Sequence, residues 1–377
     1  MQAGRYVTTL RGYKAFEPAR FPLDIVFPPA LYRLSERAVK SLGTLDALEV
    51  VLPGIDLLIR PYALKEALLS SEIEGTQSTL TEVMAEKDAC SKNVNVREVQ
   101  NYERAINVGI ENLSNPIGLP LSLRLIKELH RVLMTGVRGG EPQKTPGEFR
   151  TSQNWIGGSS VKDAFYVPCS PETLPDHLDN FEKAIHAEDF PELIKAALLH
   201  YQFETIHPFN DGNGRIGRML ITLFLMDKKL LNRPLLYLSL YFKQYKTAYY
   251  DILTHVRETG DYAKWVEFFL NGVIRVSETI AGTTRKILLL KERVKQNIKD
   301  PYNVIDFLFQ EPFIDAEKIN GYIKTSMKTS YNIISLFEEH GVLVQQGNGK
   351  RNRIYFFKDY IDILNDTSLV ESGDPHA

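Results

Sequence analysis

Apolar positions recur at helical spacing along most of this chain, and the few stretches that break the rhythm carry its chemistry. Leu57, Ile59, Tyr62, Leu64, Ala67 and Leu68 share one helical face. That run closes at Ser70-Ser-Glu72-Ile-Glu74-Gly75, where Gly75 is a natural helix stop. From Val99 to Leu133 two helical patterns flank Asn115-Pro-Ile-Gly-Leu-Pro120. Ile194, Ala197, Leu198 and Tyr201 mark a further helix, and Met219, Leu220, Leu223, Phe224 and Met226 another. Between those two lies a polar run from His207 to Arg218, which the pattern makes a tight loop between buried helices. Two short alternating pieces, Asn154–Ile156 and Phe165–Val167, flank a Gly/Ser turn and predict a β-hairpin over about 150–168. Upstream, the first 60 or so residues mix Pro18, Pro22, Pro28 and Pro29 with Tyr6, Tyr13, Phe16, Phe21 and Phe27. They read as an arm laid over the body, with a helix from near Ser35 and a turn at Pro53-Gly54.

Downstream of the polar loop, Trp265, Phe268 and Phe269 belong to a closing core helix. Residues 276–296 read as an amphipathic connecting helix. Residues 297–368 then give three helices and a strand pair, Val342–Gln345 with Arg353–Phe357, around Gly347-Asn-Gly-Lys350. Residues 369–377 read as a disordered tail. The fold class is therefore mainly α, a helical bundle with one β-hairpin and a C-terminal three-helix unit.

Composition narrows the functions. Hydrophobic residues at 44% and charged residues at 24% describe a soluble globular chain. A net charge of −2 supplies no global attraction to nucleic acid or membrane. Cys90 and Cys169 are the only cysteines, too few for a Cys-rich zinc site or a disulfide framework. With no apolar signal core at Met1-Gln-Ala-Gly-Arg5 and no long apolar run, the expected location is cytoplasmic, with no membrane partner.

The polar loop reads His207-Pro-Phe-Asn-Asp211-Gly212-Asn213-Gly214-Arg215-Ile-Gly-Arg218. Pro208 disfavours the α region for His207 and ends the first helix. Gly212-Asn213-Gly214 can turn successive backbone N–H groups into an anion nest, and the next helix aims its positive end at the same spot. Arg215 and Arg218, three apart, share a helical face over that nest. Asp211 is placed to hold a divalent cation beside bound phosphates. A base, a metal-binding carboxylate, an anion nest and two arginines make a phosphate-handling site. A Walker-type loop is excluded, since Gly-Asn-Gly-Arg lacks its Lys-Ser/Thr.

This run resembles the signature of the Fic (Fic/Doc) family, His-x-Phe-x-Asp/Glu-Gly-Asn-Gly-Arg-x-x-Arg, at every position. The resemblance implies a protein adenylyltransferase: AMP passes from ATP, with Mg²⁺ or Mn²⁺, to a hydroxyl of a target protein or of the chain itself. It implies that His207 is the general base and Asp211 the metal ligand. Gly212, Asn213 and Gly214 would form the anion hole, Arg215 and Arg218 would hold the triphosphate, and Tyr250 would pack near adenine. Ser70, Glu74 and Gly75 resemble the family's inhibitory motif, Ser/Thr-x-x-x-Glu-Gly/Asn, which implies that Glu74 pairs with Arg218 and blocks the γ-phosphate. Glu72, two residues away, points to another side of the helix. On this reading residues 1–95 hold the arm and the inhibitory motif, and 96–275 the catalytic core, whose hairpin is the flap that pairs with target backbone. Residues 297–368 resemble a winged helix-turn-helix, with Lys324, Lys328, Lys350, Arg351 and Arg353 as phosphate contacts. Such modules bind DNA, dimerise or dock proteins, so duplex DNA and a second copy join ATP and the target as candidate partners. The rival readings are a DNA-binding regulator that senses nucleotide, and Fic-type transfer of another phosphate-containing group.

Overall fold

A computed structural model of the chain describes residues 2–9, 11–51, 56–86, 92–138, 145–347, 349 and 353–369. Two strands open it, β1 (Gly4–Thr8) and β2 (Lys14–Pro18), paired antiparallel with Tyr6 opposite Phe16. Helices α1 (Pro29–Val51), α2 (Asp56–Ile73), α3 (Leu80–Ala85), α4 (Val94–Ser114) and α5 (Leu123–Met134) follow. After the 154–168 segment come α6 (Leu174–His186), α7 (Glu192–Ile206), α8 (Asn213–Asp227), α9 (Ser239–Gln244), α10 (Lys246–Thr259) and α11 (Tyr262–Asn297).

Helices α7 and α8 are the centre. Nearly every side chain from Leu193 to Ile206 is buried, the mark of a helix surrounded by others. α8 packs beside α7, α4 and α5 close one side, and α2 and α11 the others. An aromatic layer of His200, Phe242, Tyr249, Trp265 and Phe268 locks α7 to α10 and α11. Trp265 Nε1 donates to the Ala197 carbonyl at 2.7 Å, and His200 Nε2 lies 2.8 Å from the Tyr249 hydroxyl.

The C-terminal unit runs α12 (Val304–Gln310), β3 (Phe313–Ile314), α13 (Ala316–Ile323), α14 (Met327–Glu339), β4 (Leu343–Gln345), β5 (Tyr355–Phe357) and α15 (Lys358–Asn365). Its antiparallel sheet has the order β3-β5-β4. The unit is tied to α2: Arg60 Nη1 stands 2.6 Å from Glu311, and the buried Lys65 donates to the Asp366 carbonyl at 2.7 Å.

Several boundaries differ from expectation. Helix α1 starts at Pro29 rather than near Ser35, because proline suits the first turn of a helix, where its missing N–H is no loss. The arm includes a hairpin, β1–β2, where only a draped segment was expected. Between 154 and 168 the two strands reduce to one antiparallel bridge, Ile156 with Tyr166, because Gly157 and Gly158, both at φ +70, turn the chain away at once. The closing helix and the connecting helix are a single element, α11, with no break near residue 275. The Pro53-Gly54 turn, Cys90, Lys350, Arg351 and the tail beyond 369 lie outside the described residues. Among the described residues no helix is long and apolar enough to cross a membrane.

Candidate active site

Helix α7 ends at Ile206, and His207 takes φ +50, left-handed rather than the extended form a following proline favours. Arg150, 2% exposed, holds this bend. Its backbone N–H donates to Pro208 O at 2.9 Å, its Nε to His207 O at 3.0 Å, and its Nη2 to Cys169 O at 2.7 Å and Ile206 O at 3.3 Å. Asn154 Nδ2 adds bonds to the carbonyls of His207 (3.2 Å) and Phe209 (2.8 Å). At the end of α7 the carbonyls of Ile206 and His207, which a helix leaves unmet, are thereby satisfied by side chains.

His207 Nδ1 lies 3.3 Å from the Glu204 carbonyl, which can only accept, so Nδ1 carries the proton and Nε2 keeps a free lone pair. Burial pushes the imidazole down to about 4; the Glu204 carbonyl opposes this and the Arg150 charge adds to it. A neutral ring with an open Nε2 is the competent form of a base.

The loop after His207 is closed by its own side chains. Asn213 Oδ1 accepts from Phe209 N and its Nδ2 donates to Phe209 O, both at 2.8 Å, which leaves the Asn213 backbone rather than its amide for an anion. The Phe209 ring stacks on His130 at 3.7 Å between centroids. His130 Nδ1 accepts from Gly147 N at 2.9 Å, so its Nε2–H donates to the Asp211 carbonyl at 3.0 Å. Gly212, at φ +77, then admits the chain into α8, whose N-terminus no side chain caps.

An anion does sit there, and it belongs to the chain. A Cβ on Gly214 would collide with Glu74 Oε1, so the carboxylate rests against the opening turn of α8. Arg218 Nη2 donates to Glu74 Oε1 at 2.6 Å and to Ser70 O at 2.9 Å, and its Nε donates to Ser70 Oγ at 2.8 Å. Burial would raise the Glu74 carboxyl, but Arg218, with Arg215 and His207, draws it below the ordinary range. Gly75, at φ +93, stops the helix behind it. Glu72 faces elsewhere, 2.6 Å from Lys243, and Lys246 Nζ donates to the Ile73 carbonyl at 2.5 Å.

Arg215 is the reverse of Arg218. It is 4% exposed, yet Nε and Nη1 have no hydrogen-bond partner; Nη2 meets only Met134 Sδ at 3.6 Å and Asp211 Oδ1 at 3.6 Å. A buried guanidinium with unmet donors costs several kcal/mol unless an anion joins it (about 1–3 per donor). Asp211 is half-exposed, its Oδ1 accepting from Gly212 N at 2.6 Å. Among the described residues no three acidic, His or Cys side chains cluster to cage a metal. One carboxylate beside an anion nest does suit Mg²⁺, which takes few protein ligands and shares phosphate oxygens. Tyr250 keeps an open face at 39% exposure, whereas Tyr249 is buried against it at 4.9 Å.

Three contributors escaped the sequence. Arg150 lies 57 positions from His207, His130 lies 81 from Asp211, and Glu204 stood beside the motif with no role suggested. The Glu204 carboxyl is pushed up to about 7 by burial, against the pull of Arg218, and its Oε1 lacks a partner. No local pattern announces such long-range pairings.

With this geometry the chain matches two family models: Fic/DOC family over residues 120–225 and Fic/DOC family N-terminal over 32–111. It is 31% identical over 170 residues to the protein adenylyltransferase Fic of Aedes aegypti, covering 44% of this chain and 30% of that protein. To the Drosophila virilis protein of the same name it is 31% identical over 248 residues, 62% of this chain and 47% of that one. The chain thus spans less than half the length of these relatives. A Fic family protein from Desulfovibrio desulfuricans G20 shares the fold, with a TM-score of 0.57 at 18% identity over 89% of this chain and 98% of that one. Fic-1 of C. elegans (aa134–508) does so with 0.52 at 20%, over 68% and 75%.

Proposed function

We propose that this chain is a protein adenylyltransferase held off by its own Glu74. The observation that carries the reading is the Glu74 carboxylate on the opening turn of α8, bound to Arg218, where a phosphate would lie. Withdrawal of Glu74 frees Arg218 for the terminal phosphate of ATP, while the unmet donors of Arg215 take a neighbouring one. Asp211 would hold Mg²⁺, which neutralises charge on the phosphates. His207 Nε2 removes the proton of a target hydroxyl, and that oxygen attacks the α-phosphorus. The bond from this phosphorus to the bridging oxygen breaks, and diphosphate leaves with its charge met by the arginines. The 154–168 segment serves as the flap that holds the target backbone, and Tyr250 lies against the adenine. The named relatives support this chemistry.

Incubation with α-labelled ATP and Mg²⁺ tests the reading. Label should enter the chain or a partner, more strongly in Glu74→Gly and not at all in His207→Ala. Label from the γ-position alone would mean kinase-type transfer and sink it.

A second reading concerns the C-terminal unit, whose order α12-β3-α13-α14-β4-β5 and sheet β3-β5-β4 support a winged helix. Lys328, Tyr331 and Asn332 lie exposed in the first turns of α14, with Lys324 exposed at the end of α13, where a recognition helix meets duplex DNA. Salt-dependent duplex binding lost in Lys328→Ala would support it.

A further inference from the structure

The N-terminal hairpin is built onto the flap. Phe16 N donates to Val167 O at 2.9 Å, and a parallel bridge joins Phe16 to Pro168. Tyr6 stands edge-on to Phe16 at 5.1 Å, and Phe16 packs on Tyr166 at 6.2 Å. The Tyr13 hydroxyl donates to Gln153 Oε1 at 3.2 Å. The result is a groove of about 540 Å³ between the hairpin turn and the flap turn.

Tyr6, Tyr13 and Phe165 offer aromatic walls, with Tyr6 54% and Phe165 69% exposed. Lys14 and Lys162 stand on the two opposing segments, both exposed and, among the described residues, neither with a carboxylate partner. Among the described residues no Asp or Glu lines the groove. Two acids close in sequence to the lining residues are committed elsewhere: Asp163 accepts from Ser159 N at 2.8 Å and Ser160 N at 2.7 Å, and Glu17, on β2, pairs with His177 at 2.6 Å. The floor leads to the base. Tyr166 donates from its hydroxyl to Thr205 O at 2.7 Å, two residues before His207, and its ring lies 4.1 Å from the Arg257 guanidinium. Clustered aromatics among unpaired cations recognise acidic chain, since Coulomb attraction and apolar burial act together.

We propose that this groove receives an extended acidic segment of the protein substrate, flanking the hydroxyl that is modified. The inference rests on the adenylyl-transfer reading for the identity of its occupant. Sheet pairing along the flap brings the hydroxyl into register but carries little side-chain information. The groove supplies what pairing lacks: two ammonium groups for acidic side chains and aromatic walls for the residues between them.

The test uses the full chain and three fluorescein-labelled probes: a random Glu–Tyr copolymer, a random Lys–Tyr copolymer and a single-stranded oligothymidylate. Fluorescence anisotropy should show the Glu–Tyr copolymer bound, weakening as salt rises, and the Lys–Tyr copolymer not bound. The double variant Lys14→Glu/Lys162→Glu should bind it about tenfold more weakly, with an unchanged melting temperature because both side chains are exposed. In the Glu74→Gly background the same charge reversal should raise KM for the copolymer as AMP acceptor and leave kcat in place. Equal binding by the parent and the charge-reversed chain would overturn the proposal, and so would preference for the oligonucleotide. Charge-dependent copolymer binding with no AMP transfer to any acceptor would keep the groove and overturn the transfer reading instead.

Discussion

Arg150 Nε donates to the carbonyl oxygen of His207 at 3.0 Å, so the residue expected to act as base is held by its backbone from a side chain 57 positions away. The same guanidinium reaches Ile206 O and Cys169 O, its planar fork spreading donors from Nε and Nη2 in a way a compact ammonium does not reproduce. Arg150→Ala should lower stability by about 2 kcal/mol through the carbonyls left unmet. It should also cut the labelling rate about tenfold or more by releasing His207 from φ +50. Arg150→Lys should recover part of the melting temperature and little of the rate. Thermal denaturation and α-labelled ATP in the Glu74→Gly background read the two separately.

The two acids near the end of α2 should behave differently. Glu74 meets Arg218 in the site, and Glu72 meets Lys243 outside it. Glu74→Gly should raise labelling at least about tenfold, equivalent to ~1.4 kcal/mol of relieved inhibition. Glu72→Gly, breaking a partly exposed pair, should change it less than about threefold. Similar rises in both would remove the special role of Glu74.

Lys246 offers a check that avoids the carboxylates. Its ammonium holds the Ile73 carbonyl, the last of α2, from α10, four residues before Tyr250. Lys246→Met keeps most of the apolar stem and removes the bond. Labelling should rise over the parent chain, by less than in Glu74→Gly, and the two substitutions together should give no more than Glu74→Gly alone.

On the proposed reading, the acid limit of labelling follows from His207. Burial lowers its ring to about 4, so the base is neutral above that value and is lost only as pH falls through it. The unfolded ring, near 6.5, takes a proton earlier, so this group also withdraws stability as pH falls from about 6.5 toward 4. In Glu74→Gly the carboxylate that favours the charged ring is gone, which moves the limit lower still. Labelling should therefore lose nothing to His207 between pH 8 and 6 and should fall below about pH 5. A limb centred near 6.5 that persists in Glu204→Gln would contradict the buried, neutral base.

The parts of the site that could be read from sequence are those packed into neighbouring positions. His207 to Arg218 is contiguous, and helical geometry alone separates Glu72 from Glu74. Arg150, Asn154 and His130 could not be read that way, since each acts on a carbonyl of the loop and carbonyls leave no mark on side-chain pattern. The hairpin β1–β2 was hidden for a related reason. Both faces of β2 are covered, with Ala15 and Phe16 each at most 1% exposed, so the alternation that betrays a half-buried strand is missing. The unbroken α11 was split in two because the change from apolar to mixed composition near residue 276 looked like a boundary. In the structure it marks a change of neighbours along one rod.

Helix α2 has its two halves committed to different parts of the molecule. Arg60 and Lys65 hold Glu311 and Asp366 of the C-terminal unit, while Ser70 and Glu74 grip Arg218. A helix transmits displacement along its length far better than it absorbs it. Anything that tugs on α12 or on the end of α15 therefore pulls on the same rod whose far tip rests against the opening turn of α8.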